Sequence, residues 1–123
     1  TILPEIRESY PVQVTAVEIR PLTAEYRKIT PEGAKEAIDA GGAVILDVRT
    51  KEGYDAGHIP GAVLLPDDEI KQRAAEVLPD RNAVILVYCR SGNRSESASR
   101  ELIGMGYTDV RDFGGIIDWP YEY

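Results

Sequence analysis

Two uninterrupted apolar runs constrain the fold of this chain more than any other feature. Residues 43–46 read Ala-Val-Ile-Leu, and residues 83–88 read Ala-Val-Ile-Leu-Val-Tyr. Such runs are typical of strands buried on both faces, as in parallel sheets that helices cover. The first run continues into Asp47-Val48-Arg49 and the second ends in Cys89. Because ligands of such sheets bind outside the carboxyl ends of the strands, these side chains are candidates for one site.

Helical patterns alternate with these strands. Thr30 suits an N-cap and Pro31 a first helical position, and this short helix is expected to end at Gly41-Gly42. A turn over residues 57–61 and a short strand over 62–65 follow the first apolar run. Two further helices are predicted from apolar positions at helical spacing, namely Ile70, Ala74, Val77 and Leu78 from about Asp67, and Ala98, Leu102 and Met105 before Gly106. This alternation predicts an α/β fold with helices on both faces of a parallel sheet.

The first 25 residues carry three prolines and only partial alternation of apolar and polar residues over 11–22. We expect an N-terminal extension over residues 1–25, with one edge strand, and a compact domain over 26–123. A length of 123 residues fits one domain, and an apolar fraction of 43% is ordinary for a globular protein.

The charge balance and the apolar stretches exclude several classes of partner. A formal net charge of -7 disfavours binding to nucleic acid and to anionic membrane surfaces. The longest apolar stretch is far short of the roughly 20 residues that cross a bilayer, so no membrane-spanning segment is expected.

The chain contains one Cys and one His, which excludes an internal disulfide and the usual Cys and His zinc sites. A lone thiol persists most easily in a reducing compartment, so a cytoplasmic location is favoured. Because the sequence starts without Met, an exported protein with a trimmed signal peptide also fits.

The segment after Cys89 has the pattern of an anion-binding loop. It runs from a buried strand through Arg90-Ser91-Gly92-Asn93-Arg94-Ser95 into a helix, whose first backbone N–H groups lack intrahelical partners. Gly92 and Asn93 tolerate a left-handed backbone, and Ser95 can serve as the N-cap. The helix end, Arg90 and Arg94 together favour the thiolate of Cys89, which is the nucleophilic form.

Simpler interpretations compete with this one. A lone Cys at a strand end is usually an inert small hydrophobe, and two arginines can be solvated surface cations. Asp47 and Arg49 are expected to support the loop by hydrogen bonds or ion pairing rather than to transfer protons. His58 is expected to fix a turn rather than act as a base, and Trp119 to anchor the core or its rim.

Four motifs, in this order, resemble the rhodanese homology domain over about residues 26–123. They are Leu46-Asp47-Val48-Arg49, Glu52-Gly53-Tyr54 to Gly57-His58-Ile59-Pro60-Gly61-Ala62, Cys89-Arg90-Ser91-Gly92-Asn93-Arg94-Ser95, and Gly114-Gly115 with Trp119. Any one of these motifs alone would be weak evidence.

The resemblance implies a rhodanese-like fold, in which helices flank a five-stranded parallel sheet. It also implies transfer of a sulfane sulfur from thiosulfate, a persulfide or a polysulfide to cyanide or a thiol, a protein thiol included, through a persulfide on Cys89. No metal or organic cofactor is expected. By the same resemblance, the persulfide is held by Arg90, Ser91, Gly92, Asn93, Arg94 and Ser95, and structural support comes from Asp47, Arg49 and His58.

Two other functions stay open at this point. A Cys-dependent phosphatase or arsenate reductase can share the fold, but such phosphatases place five residues between Cys and Arg. Four residues separate Cys89 from Arg94, and this smaller ring of donors suits a sulfur atom or a sulfonate better than a phosphate. A noncatalytic binding module of the same family is the other alternative, although this chain retains the cysteine and both arginines.

Overall fold

A computed structural model describes residues 25–123. All strand pairs in its five-stranded sheet are parallel, and the strand order is β1-β5-β4-β2-β3. The strands are β1 (Arg27–Lys28), β2 (Ala43–Asp47), β3 (Val63–Leu64), β4 (Val84–Cys89) and β5 (Asp109–Gly115). The α-helices are α1 (Pro31–Ala40), α2 (Lys51–Ala56), α3 (Ile70–Val77) and α4 (Asn93–Gly104). Two short 3-10 helices span Asp67–Glu69 and Ile116–Asp118.

Side chains of the central strands alternate between two buried clusters, one on each face of the sheet. Along β4, Ile85 and Val87 belong to the cluster that α3 and α4 cover, whereas Leu86 and Tyr88 face the cluster that contains Ala34 of α1. Both faces therefore bury apolar surface, which explains why β2 and β4 read as continuous apolar runs. The predicted α/β class, with helices on both faces of a parallel sheet, is confirmed.

The residues expected to begin and end α1 are confirmed. The Thr30 hydroxyl accepts a hydrogen bond from the Gly33 amide at 3.0 Å, and Pro31 is the first helical residue. The helix ends before Gly41, whose φ of 87° few other residues adopt readily. The helix expected from about Asp67 begins as a 3-10 turn, and the α-helix proper starts at Ile70.

The local sequence patterns did not predict β5 or α2. β5 reads Asp-Val-Arg-Asp-Phe-Gly-Gly, without an apolar run, yet it lies between β1 and β4. Its Asp112 is fully buried because the carboxylate accepts hydrogen bonds from the Tyr26 hydroxyl at 2.6 Å and the Gly114 amide at 2.9 Å. α2 has six residues and buries none of them, so no periodic pattern marks it.

Two predictions about the start of α4 are wrong. The helix begins at Asn93, so Ser95 lies within its first turn and Gly92 occupies the N-cap position. Asn93 is helical, and within residues 25–123 only glycines have positive φ, Gly92 among them at 107°. The left-handed position is thus a single residue, and the fully buried Ser95 hydroxyl bonds to carbonyl groups instead.

The N-terminal extension over residues 1–25, including its predicted edge strand, lies outside the described residues except for Glu25. The short strand β1 at the sheet edge was not predicted from the sequence. Over the part of the chain that the structure describes, no helix combines the length and apolar character needed to span a membrane.

Candidate active site

Cys89 is the last residue of β4 and forms part of the floor of a cleft. Its residue surface is only 1% exposed, and the Gly92 amide donates a hydrogen bond to its Sγ at 2.9 Å. Within residues 25–123, the amides of Ser91, Asn93 and Arg94 donate to no protein acceptor. One amide bonded to the sulfur and free backbone donors in the loop that follows it are suited to hold negative charge there.

The loop packs directly against the end of β5. Cys89 is paired with Gly115 after a shift in register between Val87 and Cys89. A Cβ on Gly115 would overlap the carbonyl oxygen of Arg90 and lie 2.6 Å from its carbonyl carbon. The Ile117 amide donates to that same carbonyl oxygen at 3.2 Å. Only glycine permits this approach, so Gly115 is required for the shape of the loop.

Ser95 joins the loop to β5 from inside the protein. Its hydroxyl lies 3.0 Å from the carbonyl oxygen of Gly92 and 3.3 Å from that of Gly114. Both partners are carbonyl oxygens, so the hydroxyl acts as a hydrogen-bond donor to the backbone here.

The cleft above Cys89 has a volume of about 690 Å³. Arg90 and Arg94 lie at its mouth, and neither forms an ion pair with any carboxylate of residues 25–123. The lining is also partly apolar, with Ile117 61% exposed and Tyr123 58% exposed. Further lining comes from Arg49, Thr50, Gly53, Ala56, Gly57, Ser91, Asn93 and Ile116. A small anion can therefore enter between cationic and apolar surfaces.

Asp47 and Arg49 form a buried pair beside the loop. The fully buried carboxylate of Asp47 accepts hydrogen bonds from the Arg49 guanidinium, among them Nε to Oδ1 at 3.0 Å and Nη2 to Oδ2 at 2.7 Å. The Nη2 group also donates to the carbonyl oxygen of Gly57 at 2.6 Å. Burial lowers the pKa of Arg49, but the hydrogen bond and charge of Asp47 outweigh burial, so its pKa is raised.

Tyr88 completes this network. Its hydroxyl donates to Asp47 Oδ2 at 2.8 Å and accepts from the Ile59 amide at 3.2 Å. Burial and the Asp47 carboxylate raise the pKa of Tyr88 above its usual range, so the hydroxyl stays protonated as a donor. Asp47 itself does not line the cleft, whereas Arg49 does.

His58 lies away from the cleft. Its Nδ1 is 2.9 Å from the carbonyl oxygen of Tyr54, and its ring stacks on the Tyr54 ring with centroids 3.8 Å apart. Trp119 is buried and packs against Phe113 and Tyr121. The structure therefore brings Arg49 to one cleft with four of the predicted loop residues, Arg90, Ser91, Asn93 and Arg94. Four other predicted residues do not line it, namely Asp47, His58, Gly92 and Ser95.

Sequence reasoning missed several contributors to this site. Gly115 was noted only as part of a motif, and the Gly114-Gly115 pair was the signal for a close backbone approach. The apolar wall of Ile117 and Tyr123 carries no local signal, because both residues follow β5, which itself lacks a strand pattern. Tyr88 appeared only as the end of an apolar run.

The chain is similar to known proteins in both sequence and structure. The family profile described as "Rhodanese-like domain" matches residues 30–120. The chain is 42% identical over 73 residues to thiosulfate sulfurtransferase PspE of Escherichia coli, covering 59% of this chain and 70% of the relative. It is 38% identical over 101 residues to thiosulfate sulfurtransferase GlpE of Pseudomonas entomophila, covering 81% of this chain and 90% of the relative.

Solved structures agree with the sequence matches. A structure described as a rhodanese with anions from E. coli superposes with a TM-score of 0.59 at 41% identity, covering 62% of this chain and 89% of the other. A human single-domain sulfurtransferase gives a TM-score of 0.69 at 25% identity, covering 77% and 96%. The five-stranded sheet, the cysteine loop and a family match over most of the chain together identify it as a member of the rhodanese-like domain family.

Proposed function

We propose that this protein is a thiosulfate sulfurtransferase that carries a sulfane sulfur as a persulfide on Cys89. The observation that carries the proposal is the Gly92 amide bonded to Cys89 Sγ beside loop amides without acceptors, at the floor of a cationic cleft. The Gly92 amide already bonds to Sγ, and the amides of Ser91, Asn93 and Arg94 are available for added negative charge. The named sulfurtransferases among the relatives support the same assignment.

The chemistry consists of two displacement steps at sulfur. The Cys89 thiolate attacks the sulfane sulfur of thiosulfate, the S–S bond of the donor breaks, and sulfite leaves with the bonding electron pair. The product is a persulfide whose terminal sulfur carries the negative charge. Cyanide or a thiolate then attacks this terminal sulfur and leaves with it as thiocyanate or a new persulfide, which regenerates the Cys89 thiolate. Neither step needs a metal or an organic cofactor.

Because Cys89 is buried, an acceptor reaches the terminal sulfur of the persulfide rather than Sγ. Its residue surface is 1% exposed, so an acceptor has little access to Sγ itself. The terminal sulfur of a persulfide lies about 2 Å further along the bond. It therefore reaches into the cleft, where the acceptor attacks it.

Roles for the other site residues follow from their positions. The exposed guanidinium groups of Arg90 and Arg94 attract the anionic donor and stabilise the departing sulfite. Ser91, Gly92 and Asn93 supply amides, whereas Asp47 and His58 support the surrounding turns. The acceptor is proposed to be cyanide or a thiol. A protein thiol is included because the cleft opens to solvent.

Intact-protein mass spectrometry after incubation with thiosulfate tests this function. We expect the mass of one added sulfur atom, lost again after treatment with cyanide or dithiothreitol, and no such addition to Cys89→Ser. An unmodified wild type, or a sulfur adduct retained by the serine variant, contradicts the proposal. Hydrolysis of an aryl phosphate faster than sulfur transfer would favour the phosphatase alternative instead.

A further inference from the structure

Two carbonyl groups of the cysteine loop are held on the side that faces β5 and α4. The carbonyl oxygen of Arg90 accepts from the Ile117 amide at 3.2 Å. The carbonyl oxygen of Gly92 accepts from the Ser95 hydroxyl at 3.0 Å and from the Glu96 amide at 3.3 Å. Both carbonyl oxygens therefore accept hydrogen bonds from other groups of the protein and do not point towards the cleft.

A planar trans peptide links the direction of each carbonyl to that of the following amide. The C=O and N–H of one such unit point in opposite directions. Anchoring the Arg90 carbonyl to Ile117 therefore turns the Ser91 amide away from Ile117. Anchoring the Gly92 carbonyl to Ser95 and Glu96 of α4 turns the Asn93 amide away from α4. These are two of the three loop amides that donate to no acceptor within residues 25–123.

We propose that the Ser95 hydroxyl is a positioning group. It orients the backbone amides of the cysteine loop towards the bound anion and does not itself contact the persulfide. The Asn93 amide depends on it directly. Ser95 has no exposed surface, and its oxygen faces the carbonyl groups of Gly92 and Gly114 instead of the cleft. Gly115 makes the arrangement accessible, since a side chain there would push the Arg90 carbonyl off the Ile117 amide. This inference deepens the proposed function and rests on it for the identity of the anion.

Ser99 provides a matched control for the removal of the Ser95 hydroxyl. It lies one turn later on α4 and has no exposed surface, and its Oγ has no hydrogen-bond partner within residues 25–123. Ser99→Ala therefore deletes the same atom from the same helix without removing a hydrogen bond to a loop carbonyl.

The experiment measures how sulfate protects Cys89 from iodoacetamide in wild type, Ser95→Ala and Ser99→Ala. Binding of sulfate requires correctly oriented amide donors but no sulfur transfer, so the result does not depend on the enzymatic activity. Since one hydrogen bond is commonly worth about 1 kcal/mol, Ser95→Ala should need about fivefold more sulfate for half-protection. Ser99→Ala should match wild type, and Ser95→Thr, which retains a hydroxyl, should recover much of the protection.

Equal protection of Ser95→Ala and Ser99→Ala would overturn the inference, whatever the sulfur-transfer result. Failure of wild type to take sulfur from thiosulfate, with the difference between the serine variants intact, would overturn only the proposed function. If Ser95→Ala does not fold, isotope-labelled wild type decides by NMR. We expect sulfate to shift the amide proton signals of Ser91 and Asn93 but not that of Gly106, and unmoved Ser91 and Asn93 signals at protecting sulfate concentrations would contradict the inference.

Discussion

At the residue scale, the setting of Cys89 distinguishes it from an inert core cysteine. A buried free Cys ordinarily packs as a small hydrophobe. Here the thiol also accepts a hydrogen bond from the Gly92 amide and lies on the floor of a cleft lined by Arg90 and Arg94. Both the amide and the cations stabilise negative charge at sulfur, which makes Cys89 the candidate nucleophile.

Replacement of Arg94 by Ala is expected to slow an anionic reagent more than a neutral one. An exposed cation at the cleft mouth contributes up to about 1 kcal/mol, so the rate with iodoacetate should fall about fivefold relative to the rate with iodoacetamide. The ratio of the two alkylation rate constants measures this effect. Arg73→Ala, which removes an equal charge from α3 outside the cleft, should leave the ratio unchanged. Equal slowing of both reagents by Arg94→Ala would show that its charge does not act on the anion.

At the element scale, a network of polar groups beneath the cleft joins β2, β4 and the turn after α2. Tyr88 of β4 donates to Asp47 of β2 and accepts from Ile59, and Asp47 holds Arg49. Arg49 in turn donates to Gly57 in the turn. One side of the cleft thus depends on a buried network in which every member has partners, an arrangement that makes a site rigid.

Tyr88→Phe is expected to destabilise the protein by about 1–3 kcal/mol, because it leaves the buried Ile59 amide without its acceptor and Asp47 with one donor fewer. Urea unfolding monitored by circular dichroism gives the free energy of unfolding. Tyr121→Phe serves as the control, because its hydroxyl forms no hydrogen bond within residues 25–123, and its effect should be clearly smaller. A loss for Tyr88→Phe no larger than for Tyr121→Phe would mean that the network adds little to stability.

At the scale of the whole molecule, charge is distributed unevenly. The chain carries a net charge of -7, yet the cleft is lined by Arg49, Arg90 and Arg94. Local cations and amides therefore attract a small anion to a protein whose surface as a whole repels one. This contrast favours a small anionic donor over an extended polyanion.

We propose that residues 26–123 fold and act without the N-terminal segment, because the described residues supply a five-stranded sheet, two buried clusters and the cysteine cleft. A protein trimmed to 26–123 should unfold cooperatively, with a free energy of unfolding within about 2 kcal/mol of the full chain. It should also take up one sulfur from thiosulfate at a similar rate. Loss of cooperative unfolding in the trimmed protein would show that residues 1–25 belong to the folded unit.

Local patterns in the sequence were sufficient for much of the framework. The apolar runs of β2 and β4, the capping residues of α1 and the periodic faces of α3 and α4 all report interactions within a few residues, or burial on both faces of a strand. The loop after Cys89 was recognisable for the same reason, because a strand end, Gly92 and the start of α4 are adjacent in the chain. The catalytic and binding roles of the loop residues stay predictions.

Only the tertiary structure decided the parts that depend on distant residues. β5 is a strand because β1 and β4 pair with it and because Tyr26 satisfies Asp112, and neither condition is visible in its own residues. The role of Ser95 changed from N-cap to carbonyl anchor because Gly114, 19 positions away, lies beside it. The sequence by itself determined the class of fold and marked Cys89 as the candidate nucleophile, since short-range patterns indicate both. The direction in which the backbone amides near Cys89 point was decided by contacts between α4 and β5, which form only when the chain is folded.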